Sequence, residues 1–244
     1  MIKGLRYNNV HSSNFGLYVK SNDRTVLPRL KKVEVEVTGR HGTLDAGNNT
    51  YEKRYINVTF FKKESNLEDL RKNIRLIASW LSGKGRLIFD DEPDLYYEAS
   101  VYNSIPLEQA TKNGIFTVVF ECQPFAHSEM NRVTSPIVTT SHNMILINNG
   151  TFEHEPLIEL DGTAATVTLA SDGGSFSINN ITQNTYIDCK NMLCYTKGAL
   201  NEKVNKLPDF TGNFIKLSPG NTILAISGTS LSLEVTVNMQ DVYI

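Results

Sequence analysis

The side chains of this 244-residue chain that could do chemistry are few and scattered. Five histidines, His11, His41, His127, His142 and His154, lie far apart, and none has a serine or cysteine context that singles out a nucleophile. His154, between Glu153 and Glu155, is the most suggestive base, yet its turn-like segment predicts a surface histidine beside solvated glutamates. Asp90, Asp91, Glu92 and Asp94 crowd one short run around Pro93. A calcium loop of the EF-hand type needs alternating oxygen ligands, a central glycine and a distal glutamate, so the run reads instead as a solvated hairpin turn. Cys189 and Cys194 could give two zinc ligands, but no second Cys or His pair at ligand spacing accompanies them. With Cys122 the thiols number three, an odd count that speaks against a disulfide framework and predicts small buried strand residues in a reducing compartment.

No glycine-rich phosphate loop follows a strand, and neither a G-x-S-x-G elbow nor an H-E-x-x-H helix is present. A glycosidase pair of carboxylates leaves no local signature and stays open at this level. The expectation is a protein without catalytic residues, metal or cofactor. Twenty-four basic against 26 acidic side chains give a net charge of −2, so no basic field collects phosphates and tight nucleic-acid binding is not expected. The apolar runs are far short of the roughly 20 residues that span a bilayer, and no signal sequence opens the chain. A soluble protein made in a cytoplasm, with no membrane anchor, is expected.

One stretch organises the first half. Leu67, Leu70, Ile74, Ile77 and Leu81 recur at helical spacing and oppose Glu68, Arg71, Lys72, Arg75 and Ser79, which predicts one amphipathic helix. Ser65 and Glu68 fit a capping box, and Gly83 supplies the stop. Around it lie strand patterns at Ile2 to Val10, Gly16 to Val19, Tyr55 to Phe61, Leu87 to Phe89 and Leu95 to Tyr102. A tight turn at Asn113 and Gly114 leads to Ile115 to Cys122, where Phe116, Val118 and Phe120 share a face. In Lys32 to Thr38, Val33, Val35 and Val37 alternate with Glu34 and Glu36, a strand with one apolar and one acidic, wet face. The polar run from Gly39 to Asn49 reads as a long loop or protruding hairpin, a feature that usually contacts partners.

Periodicity disappears from Gln123 to Pro136, which marks a domain boundary and divides the chain into 1–134 and 135–244. Beyond it, many short strand patterns are separated by turn signals at Asn149-Gly150, Asp161-Gly162, Gly173-Gly174 and Pro219-Gly220. The fold class is therefore mainly β: an α+β first domain, then an all-β sandwich.

Laid out in order, these pieces resemble the distal tail protein (Dit) family of long-tailed phages infecting Gram-positive bacteria. The resemblance rests on FGLYV at Phe15 to Val19, VEVTGRHGTLDAG at Val35 to Gly47, and Tyr55 to Phe61. It continues through the helix with Ala78, Trp80 and Leu81 into LIFDDEPDLYYEASV at Leu87 to Val101, then Asn148 to Gly162 and Leu217 to Leu224. It implies a tail-tube-like first domain of β-sheets flanked by one helix and a galectin-like second domain. It further implies a non-enzymatic phage or prophage virion protein, assembled in the host cytoplasm and located at the tail tip or baseplate. Six copies would form a ring between the tail tube protein and the tail-associated fibre or lysin protein, with DNA only in transit through the lumen.

On that reading Glu34 and Glu36 face the lumen or a seam between subunits, because basic groups there would hold phosphates. The polar run, with Arg40, His41, Asp45, Asn48 and Asn49, is a contact loop to the ring or tube that orders only against its neighbour. A different class of function, a carbohydrate-binding module in the second domain that recognises the host surface, would need an aromatic platform, for which Tyr186 and Tyr195 are available. A tail hydrolase has only dispersed carboxylates behind it.

Overall fold

The computed structural model describes residues 4–62, 67–103 and 115–244. It is mainly β, and it divides into two compact units that meet in sequence between His127 and Ser128.

In the first unit β1 (Leu5–Tyr7) and β2 (Val10–His11) form a hairpin across Asn8 and Asn9, both left-handed. Asparagine tolerates that conformation best among residues with a side chain. With β3 (Leu17–Asp23), β6 (Arg54–Lys62), β7 (Lys84–Phe89), β8 (Glu92–Val101) and β9 (Ile115–His127), they make an antiparallel sheet in the order β2-β1-β7-β8-β9-β6-β3. The central strands alternate: Ile56, Val58 and Phe60 of β6 and Phe116, Val118 and Phe120 of β9 are buried, while intervening residues face out. That period-two burial is what one covered sheet face requires.

Helix α1 (Leu67–Leu81) covers this face, and Gly83 ends it with φ near +81°, as its position predicts. Ile77, Trp80 and Leu81 are buried and Arg75 and Ser79 are exposed. The capping box at Ser65 and Glu68, the inner positions Leu67 and Leu70, and the turn at Asn113-Gly114 lie outside the described residues and side chains. Trp80, absent from the expected apolar stripe, is an anchor of the helix among its described side chains. Its indole stacks on Phe15 at 4.9 Å, meets Phe60 and Tyr7 edge-on at 6.3 and 6.4 Å, and donates a 2.8 Å hydrogen bond to the Tyr7 carbonyl. Tyr7 answers with its hydroxyl, which donates to the Gly83 carbonyl at 2.7 Å.

In the second unit one strand belongs to both layers. β12 (Leu157–Ser171) joins a layer of order β10-β19-β12-β14-β15-β16 through its first half and a layer β11-β18-β12-β13-β17 through its second. Their ranges are β10 Asn131–Thr134, β11 His142–Asn148, β13 Gly174–Ile181, β14 Thr185–Asp188 and β15 Leu193–Lys197. The set is completed by β16 Lys203–Asn205, β17 Phe210–Gly212, β18 Gly220–Thr229 and β19 Ser232–Met239. Asp161-Gly162, expected as a turn between two strands, instead lies inside one strand. Glycine with φ near +134° lets the backbone bend there without leaving the ladder. The core draws Ile158, Leu160, Val167 and Leu169 from β12 against Leu224, Ile226, Val235 and Val237.

The stretch expected to be an aperiodic linker is largely strand: β9 runs on to His127 and β10 begins at Asn131, which leaves three residues between them. All three cysteines are buried.

Candidate assembly site

The Lys32 to Asn49 segment carries a hairpin outside the first unit's main sheet. Among the described strands β4 (Glu34–Glu36) pairs only with β5 (Thr43–Asp45), in the register Glu34↔Asp45, Val35↔Leu44 and Glu36↔Thr43. The run expected to stay unordered alone therefore carries its own ladder. Gly39 and Gly42, both with positive φ, turn the tip, where Arg40 and His41 are exposed. Asp45 closes an Asx turn onto the Gly47 amide at 2.9 Å, and Asn48 and Asn49 follow in the irregular segment after β5, Asn49 left-handed.

The alternation places Val33, Val35, Val37 and Leu44 on one face and Glu34, Glu36 and Asp45 on the other. The expected apolar face exists, but no described residue buries it: Val33 is 53% exposed and Val35, Val37 and Leu44 are 44–45% exposed. On the other face Glu34 and Asp45 sit directly opposite each other, a like-charge pair that costs stability in isolation. Among the described residues their counter-charge is Lys32, 4.0 Å from Glu34. A two-stranded hairpin of this kind is marginal by itself in water.

Its root, by contrast, is well held. Arg24 pairs with Asp91 and with Glu92 at 2.6 Å and lies over the Phe89 ring. Arg54, at the end of β6 and 4% exposed, donates to the Thr25 carbonyl at 3.0 Å. The Lys31 amide donates to Thr50, Glu52 to Arg29 and Ala46 to Val33, so two strands of backbone lead from the sheet to the hairpin.

The residues singled out for chemistry are otherwise engaged. The acidic run is a two-residue turn, Asp90-Asp91, between β7 and β8 and is bound rather than simply solvated. Asp90 accepts from the Gly4 amide at 2.6 Å and faces His11, while Arg24 holds its neighbours. His154 is likewise no free base: its Nε2 accepts the Gln240 amide at 3.2 Å, and Glu153 and Glu155 both reach Lys216. Tyr186 and Tyr195 stack on each other at 5.3 Å, with Lys197 over the first ring and Lys203 over the second. Faces a sugar would stack on are already taken. Among the described residues no group of three or more His, Cys, Asp or Glu could hold a metal ion, and no helix is long and apolar enough to cross a membrane.

Folding does assemble one constellation that spacing did not signal. His11 Nδ1 lies 2.6 Å from Ser13 Oγ and its Nε2 3.0 Å from Asp90 Oδ1, the order of groups in a nucleophile relay. The same Nδ1 also accepts the Ser13 amide at 3.2 Å, as the N-cap of a one-turn helix at Ser12–Phe15. One lone pair serving two donors of one residue closes a turn rather than activating a hydroxyl. The clue was His-x-Ser, two residues apart, but Asp90 is 79 residues from His11.

A cleft of about 320 Å³ on the outer sheet face of the first unit is lined by Lys53, Lys84, Arg86, Glu98 and Glu121. Its charges largely satisfy one another. Lys53 bonds Glu121 at 2.6 Å, which holds that carboxyl below its ordinary range and raises the lysine.

The thiols carry a prediction. Burial pushes Cys122 and Cys189 up to about 12 and Cys194 up to about 11, from 9.0. Folding thus favours their protonated forms, a contribution intact below about pH 9 and lost as pH climbs towards 11 and 12. Mass spectrometry after iodoacetamide at pH 8 should find none of the three alkylated until denaturant is added. Urea midpoints should fall steadily above pH 9.

Comparison with known proteins now places this geometry. The model of the phage tail protein RIFT-related domain (Sipho_tail) matches residues 10–122, a stretch that includes the hairpin. The whole chain has the fold of a distal tail protein. The SPP1 Dit (gp 19.1) protein, described as a paradigm of the hub adsorption apparatus in phages infecting Gram-positive hosts, superposes with a TM-score of 0.74 at 15% identity, over 100% of both chains. A chain of the phage P2 baseplate, in its activated conformation with Ca, is similar with a TM-score of 0.50 at 10% identity, over 99% of this chain and 98% of that one. Among curated proteins none matches by sequence. The resemblance drawn from the residues is met by the domain and by the fold.

Proposed function

We propose that this protein is a structural component of a phage or prophage tail tip, a distal tail protein whose copies form a six-membered ring. The ring joins the tail tube to the tail-associated fibre or lysin protein and lets DNA pass through its lumen. The observation that carries this reading is the whole-chain likeness to SPP1 Dit together with the tail domain over residues 10–122. The protein acts by assembly, without enzymatic activity, and the second unit takes the galectin-like role of such proteins. The virion tail tip is its location and the host cytoplasm its place of assembly.

In this reading the hairpin is the joint between subunits. Val33, Val35, Val37 and Leu44 gain cover from a neighbouring copy or the tube, which supplies the apolar burial that the hairpin lacks alone. Glu34 and Glu36 then line the lumen or the seam, where negative charge lets DNA slide. Arg40, His41, Asp45, Asn48 and Asn49 make the polar rim of the contact.

Negative-stain microscopy of the purified protein should show six-fold rings with a central hole. Val35→Asp combined with Leu44→Asp should reduce the particles to monomers while circular dichroism stays that of the wild type. Intact rings from the double variant would remove the hairpin from the joint, and a wild type that is monomeric at every concentration would remove the ring.

A further inference from the structure

The second unit carries an open sheet edge, and it differs from the others the molecule presents. Edge strands offer unpaired N–H and C=O groups, and proteins blunt them with charge, proline, bulges or brevity. Here β2 has two residues and β17 three. β3 carries Lys20, Asp23 and a bulge between Val19 and Ser21. β10 carries Arg132, and β16 is short and carries Lys203.

β11, His142–Asn148, has none of these devices. It is seven residues long, pairs with β18 in unbroken register from His142↔Ile226 to Asn148↔Gly220, and among the described strands pairs with no other. Its outward face is apolar beyond Asn143: Ile145 is 63% exposed, Ile147 49%, and Ile223, directly opposite Ile145 on β18, 58%. Neither His142–Asn148 nor Gly220–Ile226 contains Asp, Glu, Lys or Arg.

We propose that β11 is a self-association edge, pairing antiparallel with β11 of a second copy. Charge selects this occupant. At a two-fold contact the residue on the axis meets its own copy, so a charge there would repel itself, and this edge carries none. Register allows it as well. A two-fold axis through Ile145 sets Ile145 opposite itself, Asn143 opposite Ile147 and Met144 opposite Leu146, so each outward residue meets an outward residue and each core residue a core residue. Ile145, Ile147 and Ile223 of both copies then merge into one covered apolar patch. The contact is small, and it gains most where several are made at once between larger assemblies. It uses the second unit alone and stands whether or not the first unit forms rings.

The test uses the full chain. Ile145→Cys should give a disulfide-linked dimer under mild oxidation, since directly opposed residues bring Cβ atoms within about 4.5–5.5 Å. Asn143→Cys, equally outward, should not, because its two copies stand about 13 Å apart in this register. The three native cysteines are buried and leave the assay clean. Ile145→Lys should weaken the association about tenfold or more and halve the mass found by sedimentation, whatever the ring state. Equal masses for wild type and Ile145→Lys, or equal linkage of the two cysteine variants, would overturn the proposal. Loss of rings with the pairing retained would instead strike at the reading of the hairpin.

Discussion

Trp80→Ala is expected to destabilise the first unit by roughly 3–5 kcal/mol, the range for removing a large buried aromatic. Three terms add. The ring loses burial beneath the helix, Phe15 loses its stacking partner at 4.9 Å, and the Tyr7 carbonyl loses the donor that reached it at 2.8 Å. Because helix α1 meets the sheet through Ile77, Trp80 and Leu81 among its described side chains, the loss falls on the main contact between helix and sheet. Calorimetry should show the first-unit transition lowered by about 10 °C or more, with the second-unit transition unmoved. Trp80→Phe separates the terms: it keeps most of the apolar area and forfeits the hydrogen bond, for a cost of about 1–2 kcal/mol. A Trp80→Ala protein with an unshifted first transition would mean that the helix is dispensable to this sheet.

Gly162→Ala should unsettle the second unit by about 3–5 kcal/mol, although it adds a single carbon. A φ near +134° is open to glycine and strained for any other residue. The added Cβ would also lie 2.2 Å from the Ser232 carbonyl oxygen and 2.8 Å from the Leu233 Cα. Both are backbone atoms of β19, so relief requires parting β12 from β19 at the point where β12 passes from one layer to the other. Hydrogen exchange should show faster exchange along both strands, whereas Asp161→Ala, one residue earlier and exposed, should change little. Exchange no faster than the wild type's would show the bend to be tolerant.

Much of this molecule was legible in its residues. The 3.6-residue repeat and Gly83 marked the helix, period-two alternation marked β6 and β9, and dense turn residues marked an all-β second half. These signals are local, set by backbone geometry and by which face of an element must leave water. Glu34 and Glu36 on a separate acidic face were likewise readable, because alternation alone separates them from the valines. What alternation could not say is whether the valine face is covered. Burial depends on what arrives from elsewhere in the chain, and no described residue buries that face.

Other misreadings share that cause. Asp161-Gly162 has the composition of a turn, yet β19 and β14 flank the first half of β12 and β13 and β18 the second, and that pairing holds it in a strand. His154, read as a surface histidine beside solvated glutamates, has Nε2 committed to the Gln240 amide, and His11 gains Asp90 only when β1 and β7 pair.

By itself the sequence determined the element types, the mainly β class, the buried thiols and the charge balance that disfavours phosphate binding. The tertiary structure alone decided which faces stay open: the apolar side of the β4–β5 hairpin and the uncharged edge of β11. Periodicity records which residues share a face, whereas exposure is settled by long-range packing between segments whose spacing leaves no local mark.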